Sequence, residues 1–413
     1  MTCIVQKYGG SSVADLDRLK KVAALIAAVK REGIDVAVVV SAMGKTTDGL
    51  VQMARDITAS PPRREMDMLL STGERVTMSL LVMALHELGV EAVSLTGSQS
   101  GIITNDRHND ARVIEVRPFR VQDELAKGRV VVVGGFQGVS YKRDITTLGR
   151  GGSDTSAVAL AAALGADRCE IYSDIDGVYT ADPAVVAEAR HLPEISYQVM
   201  QEMAMAGAKV LNAQAVQFAK ESQIAIYARS TFQPGRETVV RKMSPGLPRG
   251  IRAVVSESDL VRVRIHGETT LEHFEWIMTY LEEEQVPVKE LSMAGVQPEN
   301  AWSRASFVIS SKNVYQWDRV RERLRTECGK AVEFDTDLAA LSVIGEGLNA
   351  DNETLVESLR LLKAEGIAVL GVTTTSFRIS LVVPKDEIRR SVKLLHGKWI
   401  EEMGQPGGSG DQE

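Results

Sequence analysis

The chain has 413 residues, a formal net charge of −7, 44% apolar and 25% charged residues. These values fit a globular protein of two or three domains, and the acidic balance argues against a nucleic-acid footprint. Three scattered cysteines and six scattered histidines, without CxxC or ligand spacing, leave no basis for a disulfide framework, a zinc site or a hydrolase triad.

The sequence opens on a strand-like run at 3–7. It has no signal-type segment and no apolar run near membrane-spanning length, so the cytoplasm is the expected compartment. Further apolar runs at 35–40, 92–95, 130–134, 168–173 and 224–227 are mostly Val/Ile-rich without alternation, as in strands covered on both faces. Helical patterns fall between them at 13–32, 74–88, 117–127, 153–164 and 200–211. This rhythm predicts an α/β sandwich around a largely parallel sheet over residues 1–245, with ligands at the carboxyl ends of the strands. The tract 232–249 is rich in proline and glycine and reads as a hairpin-like end and a linker.

From 250 the pattern changes. Residues 261–265 alternate like a half-exposed strand, and Leu271, Phe274, Met278 and Leu281 share one helical face. Residues 286–290 and 306–310 read as strands and 314–328 as a helix. The order then returns, with a strand at 340–345, a helix at 354–365, strands at 367–370 and 376–383, and a helix at 385–396. Two βαββαβ units are predicted, at 250–335 and 336–403, the second able to recruit the strand near 250–258. Residues 404–413 read as a disordered tail.

Chemistry gathers in the loops after the strands. Lys7-Tyr-Gly-Gly-Ser-Ser12 sets a lysine ahead of glycine amides that can wrap phosphate oxygens, though such runs also make plain turns. It is neither a Walker A loop nor a dinucleotide fingerprint. Ser41, Thr46 and Thr47 can bind a polar substrate; Thr47 or Asp48 can instead cap a helix. Glu74 can favour a helix N-terminus, receive an ammonium group or orient Lys7. Gly149, Arg150, Gly151 and Gly152 lead into Ser153, Asp154 and an Ala-rich helix. With both signs of charge, that loop suits a zwitterionic or phosphorylated small molecule, or is a turn with an Asp cap. Asp174, Asp176 and Tyr179 suit a nucleotide or form a simple turn. Lys209 is expected on the apolar helix at 200–211, where it is a phosphate candidate. Cys169 reads as a buried strand thiol.

In this order and spacing the segments resemble the aspartate kinase family over residues 1–240. They are Lys7-Tyr-Gly-Gly-Ser-Ser-Val, Val-Val-Ser-Ala-Met-Gly with Thr46-Thr47-Asp48, Ser-Thr-Gly-Glu74, Leu-Thr-Gly97, Gly135-Phe-Gln-Gly138, Thr-Thr-Leu-Gly-Arg-Gly-Gly-Ser-Asp154, Asp-Ile-Asp-Gly-Val-Tyr-Thr-Ala-Asp-Pro183 and Gly-Ala-Lys-Val-Leu211. The C-terminal units look like that family's paired ACT modules. Thr104-Asn-Asp-Arg-His108 leans toward the shorter, separately regulated bacterial members.

The resemblance implies an amino-acid-kinase fold with two ferredoxin-like ACT units. It implies phosphorylation of the β-carboxylate of L-aspartate with ATP and Mg2+, the first step towards lysine, threonine, methionine and diaminopimelate. By it, Arg150 clamps the α-carboxylate, and Glu74 and Asp154 receive the α-ammonium. Ser41, Thr47, Phe136 and Ser153 complete the aspartate pocket. Lys7, Gly9 and Gly10 stabilise the transferring phosphoryl group. Ser173, Asp174, Tyr179 and Lys209 hold the nucleotide, with Lys7, Gly10 and Asp174 the catalytic set and no metal ligand assigned. It further implies at least a homodimer through 250–400 and an amino-acid effector.

The chain departs from the family pattern at Ala184, at Asn212-Ala-Gln214, and at Glu268-Thr-Thr-Leu and Asn352-Glu-Thr-Leu, where Pro-Gly normally opens the ACT helices. These polar replacements are expected still to cap the helices. Two alternatives stand beside the kinase: a catalytically weak regulatory or assembly subunit, and an enzyme of this fold with another acceptor.

Overall fold

Val36, Val38, Val39 and Val40 are fully buried, as are Val130 to Val133, because helices cover both faces of their sheet. The computed structural model describes residues 2–149, 151–242, 250–267, 270–294 and 304–402. Arg150, Glu268, the linker 243–249 and the expected tail at 404–413 lie outside the described residues. The chain forms two compact units. One is Met1–Tyr179, His191–Ala204 and Lys209–Leu247; the other is Thr180–Arg190, Met205–Ala208 and Pro248–Glu413.

The first unit holds an eight-stranded sheet in the order Glu194–Ser196, Glu237–Arg241, Ile226–Ser230, Arg168–Ser173, Cys3–Tyr8, Asp35–Val40, Val130–Gly134, Ala92–Leu95. All neighbours are parallel except Ile226–Ser230 with Glu237–Arg241, the hairpin expected there. Alternation along Cys3–Tyr8 sends Ile4 and Tyr8 to one face and Val5 and Lys7 to the other. Ile4 and Tyr8 pack with Leu19, Val22 and Ile26 of the helix Leu16–Arg31 and with Leu81 and Leu85 of Thr72–Glu87. The helix Gly152–Leu164 crosses Cys3–Tyr8, Asp35–Val40 and Arg168–Ser173. It is buried from Gly152 to Ala161, as its apolar sequence demands.

Several expectations are corrected. The helix placed at 200–211 is Tyr197–Met205, because Gly207 takes φ +108. Two helices, Thr46–Ile57 and Arg63–Leu70, lie between the strand at 35–40 and the helix at 74–88, where the sequence reading assigned no helix. Neither Thr47 nor Asp48 caps the first of them; its N-cap is Lys45, without a side-chain bond. The helical stretch Arg63–Glu87 is, among the described residues, the one long and apolar enough to cross a membrane, and 44% of its most apolar window is buried in the protein. Residues around 101–147 form a small sheet in the order Val113–Val116, Ile102–Thr104, Gln137–Ser140, Ile145–Thr147. Its last strand delivers the chain to Gly149.

The second unit holds a six-stranded antiparallel sheet in the order Lys289–Ala294, Arg304–Ser310, Ile251–His266, Val332–Gly345, Arg378–Pro384, Gly371–Thr374. The strand expected at 367–370 forms instead at Gly371–Thr374. Ile251–His266 and Val332–Gly345 run through both halves of the repeat, so residues 253–257 pair with 340–344 and residues 262–265 with 332–335. Asp259 and Asp337, at φ +64 and +58, lie where those strands pass from one half to the other. Asp259 draws in Lys385 at 2.6 Å and Lys312 at 3.6 Å, the lysines that follow equivalent strands of the two halves. At the helix Glu353–Ala364, Asn352 makes no side-chain cap bond; Asp351 Oδ1 accepts the Glu353 N–H instead, at 2.9 Å. Thr180–Arg190 is folded into this unit by Ala181 and Val186, which join Leu341, Leu381 and Leu395 in one core.

Candidate active site

The strands Cys3–Tyr8, Asp35–Val40, Val130–Gly134 and Arg168–Ser173 end at one edge of the sheet because they are parallel. Lys7 and Asp154 meet there, with Nζ 2.6 Å from Oδ1, and they are only 9% and 8% exposed. Oδ1 is off hydrogen-bond geometry, so the contact is an ion pair. Asp154 is not a cap: the N-cap is Gly151, at φ +73. Its carboxylate lies in the first turn of the helix, where the dipole favours a negative charge.

The turn after Lys7 is tight. A Cβ on Gly10 would lie 2.9 Å from Ala42 O, so only glycine fits. Gly9 gives its amide to Tyr172 O at 3.1 Å, which removes that amide from the expected phosphate cradle.

Glu74 enters from the first turn of Thr72–Glu87. Its Oε1 accepts the Ala42 N–H at 3.2 Å, while Oε2 is buried and has no hydrogen-bond partner among the described residues. Burial pushes its carboxyl up to about 7. Ser153 faces Gly135, where a Cβ would lie 3.0 Å from Ser153 Oγ and 2.8 Å from Val39 Cγ1. Phe136 adopts φ +64, gives its N–H to Ser156 Oγ at 3.1 Å and accepts the Leu148 N–H at 2.9 Å. Ser41 gives its N–H to Tyr8 O, and Thr47 lies half-buried in the first turn of Thr46–Ile57.

The expected nucleotide side is looser. Ser173 Oγ bonds the N–H and O of Ile175, at 3.1 and 3.2 Å. Exposed Asp174 accepts from Ser11 Oγ at 3.4 Å, which joins it to the glycine turn. Tyr179 donates to Asp176 Oδ1 at 2.7 Å and sits edge-on to His191. Lys209 is exposed on the loop between Tyr197–Met205 and Ala213–Ser222, not on a helix. Among the described residues no group of three His, Cys, Asp or Glu could hold a metal ion.

The strand carrying Lys7 is pinned from its other face. Gln6 Nε2 donates to Glu170 Oε2 at 2.8 Å. Arg229 and Arg168 each reach Glu170 Oε1 at 2.8 Å, and Tyr8 stacks on Tyr172 at 4.8 Å. The two guanidinium groups and Gln6 hold this buried carboxyl below its ordinary value against the desolvation that opposes them.

The amino acid kinase family model matches residues 2–230. An aspartokinase of Bacillus sp. (strain MGA3) is 41% identical over 401 residues, covering 96% of this chain and 97% of the relative. That of Mycolicibacterium smegmatis is 39% identical over 402 residues, 96% of each. The chain belongs to the aspartokinase family. E. coli aspartokinase III, solved in complex with aspartate and ADP, shares its fold, with a TM-score of 0.82 at 24% identity over 96% of this chain and 99% of that one.

Against the aspartokinase pattern, Ala184 is exposed and gives its amide to Asp182 Oδ1 at 2.9 Å. Asn212 caps Ala213–Ser222, accepting from Gln214 and Ala215 at 2.8 and 3.3 Å. It also lies against Gly151, where a Cβ would be 2.4 Å from its Nδ2. Asn212 therefore borders the loop expected to read the amino acid, not only the nucleotide side. Sequence reasoning missed Asp67, which is fully buried. Its signal was a carboxylate on the same helical stripe as Met66 and Leu70.

Proposed function

We propose that this chain transfers the γ-phosphoryl group of ATP, taken as its Mg2+ complex, to the β-carboxylate of L-aspartate, with Lys7 at the centre of the transfer. The observation that carries the reading is the Lys7–Asp154 ion pair at the carboxyl edge of the sheet, beside a glycine turn and Glu74 Oε2, which has no hydrogen-bond partner among the described residues. The acceptor carboxylate is already ionised at pH 7, so no general base is needed. Two anions must instead be brought together, and catalysis is positioning plus charge neutralisation.

In the free chain Asp154 neutralises Lys7. An α-ammonium group set between Asp154 and Glu74 replaces Lys7 as the counter-ion of Asp154 and leaves Lys7 Nζ to the phosphoryl oxygens, together with the Gly10 amide. Ser41, Thr47, Phe136 and Ser153 line the acceptor side. Arg150 takes the α-carboxylate on the strength of the family motif, a task suited to a planar fork. Asp174, Ser173, Tyr179 and Lys209 serve the nucleotide side. Mg2+ would be held chiefly by the ATP phosphates, where it would lower their charge, and Asp174, joined to the glycine turn through Ser11, is the carboxylate on the nucleotide side that would help hold it. An amino-acid effector of the C-terminal unit belongs to the same proposal, and activity titrated with lysine, threonine and diaminopimelate identifies it.

The test is hydroxamate trapping with ATP, Mg2+ and L-aspartate. Acyl hydroxamate forms in proportion to enzyme; none at saturating ATP and aspartate sinks the reading.

A further inference from the structure

Asp67 lies in the helix Arg63–Leu70, touches none of the groups assigned to substrate, and is 0% exposed. A carboxylate so placed costs several kcal/mol unless it is paired and hydrogen-bonded. It is held from two other pieces of chain. Its Oδ1 accepts the Thr147 hydroxyl at 2.5 Å and the Asn109 N–H at 3.0 Å. Its Oδ2 lies 2.6 Å from His108 Nδ1.

Those partners border the loop that opens Gly152–Leu164. Thr147 ends the strand Ile145–Thr147, and its carbonyl accepts the Ala111 N–H at 2.9 Å. The next residue, Leu148, bonds Phe136 O. Gly149 follows at φ +72, pressed on the 105–112 loop so closely that a Cβ would be 2.8 Å from Asp110 Oδ1. Three residues after Gly149, the helix has begun and presents Ser153 and Asp154. Asp67 thus joins a helix, the 105–112 loop and the strand that launches the loop, using one side chain with every oxygen engaged.

We propose that Asp67 is a positioning residue for amino-acid recognition, fixing the strand end at Thr147 and hence the placement of Ser153 and Asp154. This rests on the reading of Ser153 and Asp154 as aspartate-binding groups. It assigns the effect to one substrate: a displaced turn weakens aspartate binding and leaves the nucleotide side, which Asp67 does not touch, in place.

The experiment uses the full chain with Asp67→Asn, an isostere that turns one accepting oxygen into a donor, alongside Thr147→Val and His108→Ala, each removing one of the bonds to Asp67. Asp67→Asn is expected to raise the aspartate KM by about tenfold or more, the loss of hydrogen bonds to a charged group. The ATP KM and kcat at saturating aspartate stay within about twofold, since transition-state contacts are untouched. Thr147→Val and His108→Ala follow with smaller rises in the same direction. An unchanged aspartate KM in folded Asp67→Asn, or an equal rise in both KM values, overturns the proposal. Should Asp67→Asn fail to fold, the two partner variants decide it, and wild-type aspartate KM in both overturns it. Absence of hydroxamate from the unmodified chain is instead a failure of the kinase reading. Calorimetric titration of L-aspartate into the same four proteins then reads the positioning role directly, and equal affinities overturn it.

Discussion

Glu74 keeps its proton to about pH 7 in the folded chain, against an ordinary value of 4.5. The folded state therefore binds more protons than the unfolded one between those values, and stability from this group falls as pH rises from 4.5 to 7, by about 3 kcal/mol. Glu74→Gln keeps the shape and the acceptor for Ala42, and removes the cost of a buried charge. It is expected to raise the thermal midpoint at pH 8 and change it little at pH 5, measured by calorimetry. The same variant raises the aspartate KM about tenfold or more, because it cannot pair with an ammonium group. In the unmodified chain the aspartate KM falls as pH rises through about 7; Glu74→Gln loses that step. Lys7→Met removes the central cation and leaves Asp154 buried without its partner. Its kcat is expected to fall by roughly 10²–10³, the loss found when one transition-state donor is removed. A Lys7→Met enzyme with near-normal kcat in the hydroxamate assay rules out the role given to Lys7.

The site is assembled at the scale of elements by close approaches that only glycine permits. Gly135 ends the walk from Val130–Gly134 into the Phe136 turn, with Val39 and Ser153 on either side. Gly135→Ala drives a methyl group into both. Overpacking of this kind costs about 1–3 kcal/mol, and displaced Ser153 should raise the aspartate KM with it; urea unfolding and steady-state kinetics read the two effects. The core strands were legible because strands buried on both faces must be apolar throughout. The helices Thr46–Ile57 and Arg63–Leu70 were not, since the first buries only Ala54 and the second is 8 residues long, too short for the stripe of Met66 and Leu70 to establish a period. Lys209 was misplaced because Gly207, at φ +108, ends the helical pattern early.

For the whole molecule, the C-terminal sheet ends in two short edge strands, Lys289–Ala294 and Gly371–Thr374, that leave Leu291 52% and Val372 46% exposed. Edge strands with apolar side chains are templates for pairing with a second chain. We infer at least a homodimer through this unit, with light scattering at micromolar concentration as the check and Leu291→Lys and Val372→Lys as the changes that shift it towards monomer. A monomeric parent chain contradicts the inference. The fold also places Thr180–Arg190, which continues from the turn at Tyr179, in the core of the C-terminal unit through Ala181, Val186 and the Thr180–His396 bond of 2.9 Å.

By itself the sequence determined the α/β rhythm, the repeated strand and helix order after 250, and which loops carry chemistry. Each of these is written locally, in runs of Val, in glycines and in charged residues at strand ends. It could not determine which charges meet. Lys7 and Asp154 become partners only because a parallel sheet and its crossing helix bring distant segments to one edge. Asp67 was given no role from the sequence, because its partner Thr147 lies 80 residues on and meets it only in the fold. Glu74 acquires its raised pKa from burial, and the Gly9 amide is lost to Tyr172 through strand pairing. Desolvation and long-range pairing depend on what the rest of the chain packs against a group, and that was settled only in three dimensions.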